Sequence, residues 1–145
     1  MFSEPEIQYL KSQRLARIAT VSSKGQPDVV PVAFEFDGKN FYVGSHGQDI
    51  FHRTLKYKNV KNGNRLVALT VDDLESVEPW RPRAVKVYGT ADIVDHKGMF
   101  GPGKYLCITP TISWSFGIKG LKQEGFRRVR TVHNQTIEAK ESVLR

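Results

Sequence analysis

Five cationic residues are crowded into a short stretch near the middle of the chain. They occupy residues 51–65, immediately before the apolar run LVALTV, and they are Arg53, Lys56, Lys58, Lys61 and Arg65. Such a group is either an ordinary solvated surface or the binding site of an anion, because compact cations hold phosphate and carboxylate groups through charge-assisted hydrogen bonds. The residue types alone leave both interpretations open.

The distribution of charge favours a local anion site over a nucleic-acid interface. The 145-residue chain carries a net charge of +7, and from Lys119 onward seven basic and three acidic residues supply +4 of it. Surfaces that stack nucleic-acid bases interleave aromatic residues with cations. The aromatic residues here stand in runs typical of a core, for example Phe34, Phe36, Phe41 and Tyr42. We therefore expect no nucleic-acid partner.

The motifs of several common catalytic sites are missing from the sequence. It contains no Gly-x-Ser-x-Gly elbow, Walker loop, Rossmann glycine fingerprint or His-Glu-x-x-His helix, which leaves hydrolase and nucleoside-triphosphatase functions without their usual support. The histidines are scattered, and the acidic stretch from Asp72 to Glu78 is typical of a solvated loop. The sequence therefore predicts no metal site.

Cysteine content and hydropathy indicate a cellular location. The single Cys107 cannot form an internal disulfide, which is typical of a reducing compartment. The first residues do not resemble a signal peptide, and no apolar run approaches the ~20 residues of a membrane span. We expect a cytoplasmic protein that makes no contact with a membrane.

Two short helices are expected beside the strands. Ser3 and Glu6 have the spacing of a capping box, which indicates a helix at the start of the chain. The segment from Asp49 to about Lys61 lacks strand alternation and spaces its apolar residues as a helix does. The cations of the opening stretch therefore belong to a helix and the turn that follows it.

Alternating apolar residues predict six or seven strands. Val30 and Val32 fall on one face of their segment, whereas Val29 and Pro31 fall on the other. The expected strands are LARIATVSS, DVVPVAFEFDG, FYVGS, RLVALTV, AVKVYGTADIV, KYLCITP and ISWSFGI. Closely spaced turns between such strands are typical of a small β-barrel or sandwich.

Several motifs, taken in order, resemble a known superfamily. They are KYKNV, VDDL followed by PWRPR, and SWSFG, together with the strand patterns between residues 8 and 117. In this order and spacing the chain resembles the pyridoxamine 5′-phosphate oxidase-like, FMN-binding split-barrel superfamily. It is most similar to the branch of F420-dependent enzymes that includes reductases of tetracycline biosynthesis.

The resemblance implies a fold, an assembly and a cofactor site. The implied fold is mainly β, a six-stranded antiparallel split β-barrel with short flanking helices, and the implied assembly is a homodimer with the cofactor at the subunit interface. The cofactor phosphate would meet Lys56 and Thr54 at the start of the helix, which would answer the question raised by the five cations. The remaining implied cofactor-binding residues are Val30, Pro31, Val32, Ser45 and Arg83.

The implied function is hydride transfer between the deazaflavin coenzyme F420 and a small unsaturated organic substrate. The alternatives are an FMN-binding oxidoreductase and a flavin- or haem-binding protein of the same fold without turnover. No catalytic side chain is identified from the sequence. Arg83 could instead pair with Asp72 or Asp73, and Arg130 and His133 match the vitamin-binding Arg/His signature only superficially, so vitamin B6 oxidation is not expected.

The chain divides into two parts on this interpretation. Residues 1–118 form the flavin- or deazaflavin-binding split-barrel domain, and residues 119–145 form a basic C-terminal extension. The strand-like piece from Arg128 to Ile137 makes the extension either an additional strand or a flexible segment. The sequence leaves that choice open.

Overall fold

The computed structural model describes residues 1–121 and 128–133. These residues form three helices and eight strands. The helices are α1 (Glu4–Ser12), α2 (Gln48–Arg53) and α3 (Leu55–Lys61). The strands are β1 (Leu15–Val21), β2 (Pro27–Ala33), β3 (Glu35–Phe36), β4 (Phe41–Val43), β5 (Leu66–Ser76), β6 (Arg81–Gly98), β7 (Gly101–Phe116) and β8 (Val129–Val132).

The strands form one antiparallel sheet with the order β2-β1-β5-β6-β7-β4-β3, and β8 adds to β7. Strands β2 and β3 lie at the two ends of this order although only Phe34 separates them in the chain. The sheet therefore curls until its two ends meet, which is the split β-barrel that the sequence predicts. The count is eight strands rather than six, because the two-residue β3 and the tail strand β8 also pair.

The N-terminal helix α1 begins with the predicted capping box. The backbone N–H and the hydroxyl of Ser3 both donate to the carboxylate of Glu6, at 2.9 and 2.8 Å. Glu6 is itself 1% exposed and also accepts a hydrogen bond from the Ser115 hydroxyl of β7. Leu10, near the end of the helix, is fully buried. The cap and the core contact together fix α1 on the barrel.

The alternation predicted for β2 is present. Val32 is 7% exposed in the core, and Val30 packs against the core from the same face. Val29, on the opposite face, is 67% exposed. Because β2 pairs only with β1 among the described residues, Pro31 stands in an edge strand, where a missing N–H is tolerated.

The predicted helix from Asp49 to about Lys61 is wrong in one respect, since it is two helices. The chain is extended at Thr54, with φ −74° and ψ 150°, so that α2 ends and α3 begins at this residue. Phe51 is fully buried on α2, whereas Leu55 is 55% exposed on α3. The break frees the two helices to follow different directions over the barrel.

The segments KYLCITP and ISWSFGI form one strand, β7, instead of two. The pairing of β7 with β6 shifts between Tyr88 and Gly89, so that Pro110 pairs with Gly89 and Ile112 with Tyr88. A Cβ at Gly89 would lie 2.5 Å from the Thr109 carbonyl oxygen. A bulge that only glycine permits therefore accommodates the proline without ending the strand.

Part of the predicted extension belongs to the sheet. Val129–Val132 pairs with Ser115–Ile112 of β7 as an antiparallel strand. The rest of the extension, residues 122–127 and 134–145, lies outside the described residues. Among the described residues, no helix has the length and apolar character needed to cross a membrane.

Candidate cofactor site

Lys56 lies in the first turn of α3 and is buried without a partner. Its side chain is 7% exposed. Within residues 1–121 and 128–133 it has neither an ion pair nor a hydrogen bond. Burial lowers the pKa of the Lys56 ammonium, and the carboxylate of Asp28 acts in the opposite direction. A partly desolvated ammonium without a hydrogen-bonded counter-ion is costly, so this residue fits an anionic ligand.

The position of Lys56 is set by the way α3 packs on the barrel. Asn59, one turn further along the helix, donates from Nδ2 to the hydroxyl of Thr20 on β1 at 2.9 Å. Both residues are buried, as is Val60. Since residues three apart share a face of a helix, this contact directs Lys56 toward the same end of the barrel.

Thr54 joins the two helices through its hydroxyl. The hydroxyl donates to the Phe51 carbonyl at 2.7 Å and accepts from the backbone N–H of Tyr57 at 3.3 Å. A hydroxyl carries one proton and two acceptor lone pairs, so the proton is already used within the chain. In this structure Thr54 caps α3 and thereby positions Lys56.

The predicted ring-binding residues Val30, Pro31 and Val32 stand on the edge strand β2. Asp28, whose charge acts on Lys56, belongs to the same strand. The structure therefore brings Lys56, Thr54 and the β2 residues to neighbouring parts of one barrel end. A flat ligand against β2 would find backbone groups that no strand pairs with among the described residues.

Ser45 follows β4 in a loop with a constrained backbone. It is half-buried. At Gly44 a Cβ would lie 2.6 Å from the ring of Tyr105, and Gly47 has φ +75°. The loop can therefore approach the core closely at this point. The role of Ser45 as a cofactor-binding residue stays a prediction.

Arg83 is held by a carboxylate, as the alternative interpretation of the sequence allowed. Its Nε and Nη2 donate to the two oxygens of Asp73 at 2.9 and 2.6 Å. The Tyr9 hydroxyl donates to Asp73 at 2.9 Å. These hydrogen bonds, which Arg83 donates and Asp73 accepts, lower the pKa of Asp73 and raise the pKa of Arg83. Any contact of Arg83 with a cofactor would use the remaining N–H groups, two on Nη1 and one on Nη2.

Within one chain, Arg83 lies apart from the end of β1 on which the Lys56 helix packs. Ala19, next to Thr20, pairs with Ala68, which in turn pairs with Tyr88 on β6. Arg83 is five residues further along β6 from Tyr88, which is about 17 Å of strand. The fold therefore does not bring Arg83 beside Lys56 within one chain.

The C-terminal residues Arg130 and His133 do not form a substrate grip. His133 is 6% exposed, with a ring nitrogen 2.9 Å from the Ser113 hydroxyl and its ring 4.5 Å from that of Phe2. Burial lowers the pKa of the His133 imidazole. Arg130 is exposed on β8.

An apolar row on the outer face of the sheet was not predicted from the sequence. Strand pairing aligns six residues across six neighbouring strands, and they are Val29, Ala19, Ala68, Tyr88, Ile112 and Val132. Three of these side chains, Val29, Tyr88 and Val132, are 67%, 46% and 52% exposed. Beside this outer apolar row, the Lys86 ammonium lies 4.4 Å from the ring centroid of Trp114. The signal in the sequence is weak, because each strand contributes a single residue.

Comparison with known sequences finds one family and one close curated relative. The family described as pyridoxamine 5′-phosphate oxidase matches residues 3–104. A 5a,11a-dehydrotetracycline/5a,11a-dehydrooxytetracycline reductase from Streptomyces rimosus subsp. rimosus is 39% identical over 97 residues, which is 67% of this chain and 67% of the relative.

Solved structures share the fold at lower identity. A heme binding protein from Mycobacterium smegmatis superposes with a TM-score of 0.65 and 12% identity, over 91% of this chain and 59% of that one. An F420 reductase superposes with a TM-score of 0.53 and 22% identity, over 70% of this chain and 89% of that one. At these identities the similarity concerns the fold alone.

Proposed function

The chain belongs to the pyridoxamine 5′-phosphate oxidase family, and from this premise we propose that it is an oxidoreductase that uses coenzyme F420. The proposed reaction transfers a hydride between this deazaflavin and a small unsaturated organic substrate. The family and the 39% identical reductase support an oxidoreductase. The choice of F420 draws additionally on the F420 reductase of the same fold.

The unpartnered burial of Lys56 is the observation that carries the proposal. A lysine that is 7% exposed and lacks an ion pair in the described residues has a partly desolvated ammonium, and within those residues the charge of Asp28 compensates it only through space. A phosphate would supply the missing counter-charge and accept hydrogen bonds from Nζ. We assign Lys56 to the phosphate of the cofactor, with Thr54 holding the start of α3 in position.

The residues of β2 would orient the ring system. When bound, the deazaflavin ring supplies the hydride-transfer chemistry. Val30 and Val32 form part of the apolar wall on the core side of β2, and Pro31 removes one N–H from its free edge. Ser45 would add a contact to the phosphate, and the free Nη1 of Arg83 one to the ring edge. The protein's part in the reaction is to fix orientation and exclude water.

The second subunit of the proposed homodimer would cover the outer apolar row. A row of apolar residues that crosses six strands and stays exposed is unusual on a monomer. A second copy would bury it symmetrically and could also bring its own Arg83 to the cofactor groove. Replacing Ala68 with Glu at the centre of the row should yield monomers in light scattering, whereas a wild-type chain that is already monomeric would contradict the dimer.

Basic residues near Lys56 favour F420 over FMN. Arg53, Lys58 and Lys61 are exposed, and several exposed cations attract a flexible polyanion by long-range Coulomb steering. The oligoglutamate tail of F420 is such a polyanion, and FMN has no equivalent. Affinity for F420 should therefore fall with ionic strength more steeply than affinity for FMN.

Parallel titrations with F420 and FMN test the proposal. Ring fluorescence would be followed for the wild type, for Lys56→Met and for Lys24→Met, which removes an exposed turn lysine as the matched control. We expect tight F420 binding by the wild type and the control, with a large loss for Lys56→Met. Equal binding by all three would remove the phosphate assignment, and a preference for FMN would replace the cofactor.

A second function, binding without turnover, is favoured by the heme binding protein of the same fold. That protein is described as binding heme with a similar fold. Stoichiometric F420 or haem binding, with no oxidation of reduced F420 in the presence of unsaturated ketones and enones, would support a carrier. Multiple turnovers with any such acceptor would exclude it.

A further inference from the structure

A cavity of about 490 Å³ lies at the seam of the barrel, where β2 leads into β3. Its walls come from three parts of the chain: the end of α1, the residues that join β2 and β3, and the tip of the hairpin between β6 and β7. This volume falls in the range of small-molecule sites. We name it the seam cavity.

The seam cavity has an apolar floor and a cationic rim. Ala33, Phe36 and Met99 contribute apolar surface. Lys11 and Arg14 also line it, and both are exposed. In the described part of the chain, neither cation has an ion pair or a hydrogen bond. Two cations that are free to turn toward a ligand thus flank an apolar surface.

The single acidic residue among those lining the cavity is already engaged. Glu35 accepts a hydrogen bond from the backbone N–H of Met99 at 3.2 Å, and its other oxygen lies 3.7 Å from Nε2 of His96. The carboxylate is therefore directed to the hairpin and is not available to pair with Lys11 or Arg14. The formal charges of Lys11, Arg14 and Glu35 sum to +1.

The seam cavity is separate from the proposed phosphate site. Asp28, whose charge acts on Lys56, stands near the start of β2, whereas Ala33 at the end of β2 lines the cavity. Five residues of strand separate the two positions, which corresponds to about 17 Å. An anion at the cavity would therefore not compete with an anion at Lys56.

We propose that the seam cavity is a binding site for an organic anion with an apolar, ring-sized body. The body lies on Ala33, Phe36 and Met99, and its carboxylate, sulfonate or enolate faces Lys11 and Arg14. Burial of the apolar body supplies most of the affinity, while the two cations select for negative charge.

Two fluorescent probes with similar ring bodies test this site. The anion 1-anilinonaphthalene-8-sulfonate carries a sulfonate, and N-phenyl-1-naphthylamine lacks it. The wild type should bind the anion saturably. Combined Lys11→Ala and Arg14→Ala replacement should weaken that binding about tenfold and leave the neutral probe within about twofold. Lys24→Ala with Arg81→Ala, which removes two exposed cations elsewhere, should change neither affinity.

The outer apolar row can also bind such probes. Variants that fill the seam cavity distinguish binding in the cavity from binding at the row. Ala33→Leu should weaken both probes, and Ala33→Val does the same to a smaller extent if the leucine variant does not fold. Lys56→Met should keep full affinity for the anionic probe, so that failure of the cofactor assignment and failure of this site are distinguishable. Unchanged binding of the anion by the variant without Lys11 and Arg14, or by both Ala33 variants, overturns the proposal.

Discussion

Two cationic side chains of the barrel, Arg83 and Lys56, are shielded from water, and they differ in whether a carboxylate pairs with them. Where β5 ends and β6 begins, Arg83 makes two hydrogen bonds to Asp73, and the Tyr9 hydroxyl donates to the same carboxylate. At the start of α3, Lys56 is more deeply buried and has no such partner among the described residues. Arg83 is compensated within the chain, whereas Lys56 is not.

This difference suggests a structural role for Arg83 and a ligand-binding role for Lys56. A compensated pair can be explained by folding, because each charge satisfies the other. An uncompensated buried charge lowers stability, so its presence is better explained by a ligand that arrives later. The comparison predicts that changes at Lys56 affect binding more than stability, and that changes at Asp73 do the reverse.

Replacement of Lys56 should produce the largest effect. We expect Lys56→Met to weaken F420 binding by about 2–5 kcal/mol, which is at least about 30-fold in Kd. Its melting temperature should stay the same or rise, because a desolvated charge is removed and the apolar stem is kept. Titration calorimetry and thermal denaturation measure the two quantities. A strongly lowered melting temperature would mean that Lys56 has a structural partner.

Replacement of Asp73 should mainly reduce stability. Asp73→Ala leaves the Arg83 guanidinium and the Tyr9 hydroxyl without their acceptor, and we expect a loss of about 1–3 kcal/mol in the free energy of unfolding. Urea denaturation measures it, and Asp95→Ala is the control, because its ion pair with Lys104 is exposed. The comparison fails if F420 affinity drops more than about tenfold while stability is unchanged.

Removal of the cap between the two helices should have a smaller effect. Thr54→Ala deletes the hydroxyl that bonds Phe51 and Tyr57, and the loss of an N-cap costs about 1 kcal/mol. Because α3 carries Lys56, F420 affinity should fall by a few-fold as well. Thr54→Ser keeps the hydroxyl and should restore both values. If serine restores stability without affinity, the methyl group of Thr54 matters in its own right.

The pH dependence of stability should show the smallest effect. Burial lowers the pKa of Lys56 below its ordinary value of 10.5, so the unfolded chain binds more protons between the folded pKa and 10.5. Stability from this residue therefore rises with pH across that window. Denaturation of the wild type and Lys56→Met at several alkaline pH values should show this rise only in the wild type. Identical slopes would indicate a solvated Lys56.

Much of the barrel could be predicted from the sequence, because a strand with one buried face has apolar side chains at every second residue. Strand β2 is an example, since Val30 and Val32 face the core and Val29 and Pro31 face the other way. The break at Thr54 could not be predicted, since Phe51 and Leu55 are spaced as in one continuous helix. The division into two helices depends on the Thr54 hydroxyl, and its hydrogen-bond partners are evident only in the folded structure.

For the site, residue type and spacing indicated Lys56 and Thr54 but not their environments. Whether Arg83 pairs with Asp72 or Asp73 is decided by strand register, which places Arg83 directly opposite Asp73. The burial of Lys56 depends on how α3 packs on β1, a long-range contact with no local signal. Charge patterns locate candidate residues, and packing decides which of them remain available to a ligand.

The two prolines of β2 have a consequence for how the protein behaves at high concentration. Pro27 and Pro31 are four residues apart in an edge strand, so their nitrogens point to the same side. Neither can donate to an incoming strand, which makes this edge a poor template for fibre growth. The barrel can thus keep one side open to small molecules without inviting other chains to extend its sheet.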